Sequence, residues 1–107
     1  MNIAFCYLYR LTPNFTEYHE VEFTNIKRIP QAVIQKIITS NLNSNCCFIP
    51  DEWQLPNLVY TPQHSGGTPP YHQFLHTRPV AATTAAAGDI AMLLHTIQLH
   101  AAVHKVL

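Results

Sequence analysis

The sequence predicts an α+β fold: a small antiparallel sheet in the order β-β-α-β-(β)-β, one helix packed across it, and a C-terminal helix. Three observations predict it. Runs of aromatic and β-favouring residues fill the first quarter of the chain. The apolar period then changes from two to about 3.6 over residues 30–42. Finally, eight of the ten alanines fall between Ala81 and Ala102, where only Asp89 is charged.

Taken in order, residues 2–10 alternate Ile3, Phe5, Tyr7 and Tyr9 with Ala4, Cys6 and Leu8. Both sets are mostly apolar, as in a strand covered on two sides. Pro13 and Asn14 mark a turn. Residues 18–24 place His19, Val21 and Phe23 on one side and Tyr18, Glu20, Glu22 and Thr24 on the other. That is a half-buried strand, antiparallel to the first. Val33, Ile34, Ile37, Ile38 and Leu42 then line one helix face, with Pro30 at the first helical position. Asn41 to Asn45 end that helix. Cys46 to Ile49 reads as a short strand stopped by Pro50, and Asp51 to Tyr60 as a helical turn followed by another short strand. Thr61 to Pro70, with three prolines and Gly66-Gly67, reads as an exposed loop. Residues 71–78 read as a strand with His72, Phe74, His76 and Arg78 sharing one face.

Residues 89–107 read as a helix, with Asp89 and Lys105 matching its dipole. Its outer face carries almost no charge, so it is either buried or paired with another chain. We expect residues 1–79 to form the core domain and residues 80–107 an alanine- and histidine-rich extension. The expected pairing is a homodimer through Leu93, Leu94, Ile97 and Ala101, with His100 and His104 in the seam.

Composition narrows the function classes. The chain has 107 residues, enough for one domain, and a formal net charge of zero. Neutrality argues against nucleic-acid binding through phosphates, and Lys27, Arg28 and Lys36 make too small a basic patch for it. It also removes a common guard against self-association. The uncharged stretch of the predicted C-terminal helix, Ile90 to His104, spans fifteen residues. A bilayer needs roughly 20, so no membrane partner is expected. Cys6, Cys46 and Cys47 form no CxxC motif, which excludes a zinc ribbon. A bridge between neighbouring cysteines is disfavoured, so the expectation is free thiols in a reducing cytosol, with a bridge from Cys6 to one of the pair as the lesser alternative.

Several segments carry a resemblance. These are Tyr7-Leu8-Tyr9-Arg10, Asn14-Phe15, Glu20-Val21-Glu22-Phe23-Thr24-Asn25, Phe48 to Leu58 around Trp53, and Tyr71-His72-Gln73-Phe74. Residues 3–78 resemble a family of small uncharacterised bacterial proteins of the mobile gene cassette type. The resemblance implies a small α+β domain and no activity. Such proteins tend to end soon after the His-x-Phe strand, whereas this chain continues for about thirty residues.

Candidate chemistry is sparse. His100 and His104 share a helix face at i, i+4, but no Glu follows His100 as in a zincin, and the bland reading is surface or interface histidines. Neither a metal nor a cofactor is expected. Glu20 and Glu22 lie about 7 Å apart on one strand face, an acid–base spacing that a solvated sheet face explains equally well. A partner or ligand surface could be built from Trp53, His72, His76, Glu20 and Glu22. The expected function is therefore a small binding module that self-associates through its C-terminal helix. The alternative is a small enzyme using His19 or His72 with Cys46, Cys47 or Glu20 in a sheet-face pocket.

Overall fold

β1 (Asn2–Thr12) and β2 (Phe15–Phe23) form a long antiparallel hairpin. The computed structural model describes residues 1–12, 14–44, 46–58, 71–83 and 85–105, without the side chains of residues 11, 12, 104 and 105. The expected strand near residue 59, the 61–70 loop with Gly66-Gly67, and His64 lie outside them. After the hairpin come α1 (Gln31–Ser40), β3 (Cys47–Phe48), a 3₁₀ turn (Pro50–Trp53), β4 (His72–Val80) and α2 (Ile90–Lys105). The sheet order is β2-β1-β4-β3, antiparallel throughout. The α+β class and the C-terminal helix are as predicted.

One sheet face holds the core. Ile3, Phe5 and Tyr7 of β1 join Val21 and Phe23 of β2 and Phe74 of β4. Ile34 and Ile38 of α1 close over them, as the isoleucine stripe requires. Phe5 sits at the centre, with ring contacts to Tyr7, Phe48, Trp53 and Phe74 at 5.1–6.3 Å.

The opposite face carries no helix among the described residues, yet Ala4, Cys6 and Leu8 are 2–4% exposed. Flanking side chains cover them. Arg78 of β4 reaches over β1 and donates to both oxygens of Glu20 on β2, at 2.9 and 2.8 Å. The two-sided cover expected for the first strand thus comes from neighbouring strands.

β4 corrects one expectation. Cys6 pairs with His76 but Tyr7 pairs with Phe74, so Leu75 is an extra residue in β4. This bulge reverses the alternation. His72 and Phe74 face the core, whereas His76 and Arg78 are exposed.

Residues 81–83 and 85–89 lie between β4 and α2 and run along the far edge of β2. Thr83 donates through its N–H and hydroxyl to the Glu22 carboxylate, and the Ala87 N–H donates to the Glu22 carbonyl. The Thr24 N–H donates to Gly88 and the Ile90 N–H to Thr24. α2 is thereby delivered to the core face. Ile90, Leu93, Leu94 and Ile97 enter the same apolar cluster as the sheet. This corrects the expected dimer seam: Leu93, Leu94 and Ile97 are buried in their own chain.

Asp89 fixes that delivery. One carboxylate oxygen accepts from the Thr24 hydroxyl at 2.8 Å and the Ile26 N–H at 3.1 Å. The other accepts from the Ala91 N–H at 3.1 Å, an N-cap contact. Burial acts to raise its pKa, but these three hydrogen bonds and Lys27 outweigh it and hold the carboxyl below its usual range. Its contribution is therefore complete above the ordinary aspartate range and lost as pH falls through the depressed value. Asp89→Ala is expected to cost about 1–2 kcal/mol in urea unfolding at neutral pH. Asp89→Asn should retain most of the cap. Both variants should show a flatter acid limb of stability than the parent chain.

Candidate functional site

A solvent-open cleft of about 450 Å³ lies where α1, the 3₁₀ turn, the start of β4 and α2 meet. Phe48, Trp53 and Ile97 are buried and form its apolar wall. The Trp53 ring stacks on Phe48 at 4.6 Å and 9°. Around them stand Ser40, Asn41 and Asn43 from the end of α1, Tyr71 before β4, Glu52, and His100. His100 Nε2 lies 3.2 Å from Glu52 Oε1, both side chains being about one-third exposed. Pro50 starts the 3₁₀ turn that raises Glu52, and Gln54 ends it in the left-handed region at φ 59°. The packing of α2 against that turn brings His100 to Glu52.

A second groove of about 360 Å³ runs along the other side of α2. Val21, Phe23, Leu55, Pro56 and Leu93 line it, with Met92 and Thr96 at its α2 border. Met92 also begins an exposed apolar stripe that continues through Leu99 and Val103. These residues are seven and four apart, which places them on one helix flank. Groove and stripe meet at Met92.

The structure separates most of the residues singled out from sequence. His72 is fully buried: its Nε2 accepts a hydrogen bond from the Leu58 N–H at 3.0 Å, and its ring stacks on Tyr9 at 4.8 Å. It cannot present a ligand surface. Trp53 is 4% exposed and serves the core, while its edge walls the cleft. Glu20 and His76 stand on the open sheet face, and Glu20 is held by Arg78. That hydrogen bonding keeps the Glu20 carboxyl below its usual range. Glu22, on the same face, accepts from Asn2 Nδ2 at 2.6 Å and from Thr83. Its carboxyl is likewise lowered, chiefly by Asn2. The two glutamates hold separate structural partners rather than a common one. His100 and Ala101 border the cleft, and the His104 side chain lies outside the described residues.

The cysteine expectation is also corrected. Cys46 and Cys47 are joined by a disulfide, and Cys6 is the free, buried thiol. Asn43 and Cys47 exchange backbone hydrogen bonds across the turn that carries this bridge. Burial, then the nearby Glu20 carboxylate, push the Cys6 thiol up, so it stays protonated and unreactive. His19 packs edge-on against Tyr7 on the core face, away from Glu20 on the opposite one. The side chains required for the enzymatic alternative are not gathered in one pocket.

No group of three or more His, Cys, Asp or Glu that could hold a metal ion occurs among the described residues. No helix there is long and apolar enough to cross a membrane. No family model, no curated protein and no solved structure matches the chain.

Proposed function

We propose that the chain is a small interaction module whose outer α2 surface docks a second copy of itself. The observation that carries this reading is the exposed stripe Met92, Leu99 and Val103, 55–64% exposed, whose first residue also borders the apolar groove. The stripe is self-complementary. If two α2 helices cross antiparallel near Gln98, Met92 of each copy meets Val103 of the other, with Leu99 close to the dyad. Zero net charge leaves no bulk repulsion between copies. One helix face is small beside the ~800 Å² per partner of standard stable interfaces, so the association is reversible and concentration-dependent.

Sedimentation velocity over a wide concentration range tests it. The parent chain is expected to shift from monomer to dimer. Leu99→Lys and Val103→Lys, at exposed sites, should stay monomeric and keep the parent's unfolding midpoint. A parent chain that is monomeric at every concentration would refute the proposal. So would lysine variants that dimerise as the parent does.

A further inference from the structure

The cleft beside Glu52 has a recognisable electrostatic character. Glu52 brings a carboxylate to its rim, and neither lysine nor arginine lines it among the described residues. The C-terminal end of α1, carrying Ser40 and Asn41, borders the same space. That is the negative end of a helix dipole, and the last turn of α1 holds no basic side chain. The Asn41 amide nitrogen donates to the Ile37 carbonyl at 2.7 Å, so its amide oxygen remains as an acceptor. Trp53, Phe48 and Tyr71 add aromatic surface, and Tyr71 is 44% exposed. His100 lies against one oxygen of Glu52 and steadies the carboxylate. The carboxylate and the helix C-terminus attract the same charge, and the exposed Tyr71 ring is the aromatic surface open to a cation. The cavity volume is that of a small-molecule site.

We propose that this cleft binds a small organic cation, a protonated or quaternary amine on an apolar body, with Glu52 as its counter-ion. An anion would face the carboxylate and the helix C-terminus together. A neutral apolar molecule would offer no donor to the second Glu52 oxygen or to the Asn41 amide oxygen. The inference does not rest on self-association, because Glu52 and Trp53 lie off the stripe of Met92, Leu99 and Val103.

Trp53 is the single tryptophan and forms part of the cleft wall, so its fluorescence reads occupancy directly. The full chain would be titrated at matched ionic strength with benzyltrimethylammonium, benzoate and benzyl alcohol. A saturable change is expected for the cation alone, with a dissociation constant of about 0.1–10 mM. Glu52→Gln should weaken it about tenfold, and Leu99→Lys should leave it unchanged. Benzoate or benzyl alcohol binding as tightly as the cation would overturn the proposal. So would the absence of a saturable response, or a folded Glu52→Gln chain that binds as the parent does. Should that variant fail to fold, the three-probe comparison on the parent chain still decides.

Discussion

A chain ending at Pro79 is expected to lose its cooperative unfolding transition. Such a chain, which the sequence marks as a separable core, retains α1 and all four strands but for Val80. Yet α2 supplies Ile90, Leu93, Leu94 and Ile97 to the one apolar cluster, each at most 5% exposed. Burying an aliphatic side chain of this size contributes about 1.5–3 kcal/mol. Four of them amount to about 6–12 kcal/mol, comparable with the whole stability of a small domain. The loss goes further, because Phe23 and Trp53 would be uncovered where α2 now lies beside them. Thr24 and Glu22 would also lose the backbone partners that Gly88, Ile90 and Ala87 provide. Urea unfolding followed by circular dichroism and Trp53 fluorescence checks this. The shortened chain should give a broad, non-sigmoidal change. A sigmoidal transition at the parent's midpoint would show instead that sheet and α1 are self-sufficient.

The sequence carried local periodicity well and face assignment poorly. The alternation in β2 and the isoleucine stripe of α1 have strong contrast, so each signal named its element and its buried side. In α2 that contrast vanishes. Leu93, Leu94 and Ile97 on the inner face and Met92, Leu99 and Val103 on the outer one are equally apolar. Period alone could not say which set faces the sheet. The anchoring of Asp89 by Thr24 and Ile26 decides it, and those contacts span more than sixty residues. The bulge at Leu75 is similarly invisible, because an inserted residue leaves composition unchanged while exchanging the faces that follow. That is why His72 and His76, read as neighbours on one side, have opposite environments. Glu52 and His100 meet only through tertiary packing, and neither stands in a motif that would pair it with the other.

His72→Ala is expected to be among the most damaging single substitutions, costing about 4 kcal/mol. Two effects add. The first is a cavity beneath Tyr9, where the imidazole now stacks at 4.8 Å and is fully enclosed. The second is an orphaned donor: the Leu58 N–H gives its hydrogen to His72 Nε2, and Leu58 is itself 3% exposed. Water cannot readily replace an acceptor lost there. His72→Phe separates the effects. A phenyl ring fills the space and keeps the stacking on Tyr9 but accepts no hydrogen bond, so a cost of about 1–3 kcal/mol remains. Both losses should appear as a lower urea midpoint. The bond also has a positional role. Together with the Tyr7 hydroxyl, which donates to the Pro56 carbonyl at 2.6 Å, it ties the segment from Leu55 to Leu58 onto β1 and β4. In His72→Phe the Leu58 amide should therefore exchange with deuterium faster than in the parent, while amides in the β1–β2 hairpin keep their protection. Parent-like stability in His72→Phe would mean that the imidazole acts through its shape alone. Equal damage from alanine and phenylalanine would assign the whole effect to the hydrogen bond.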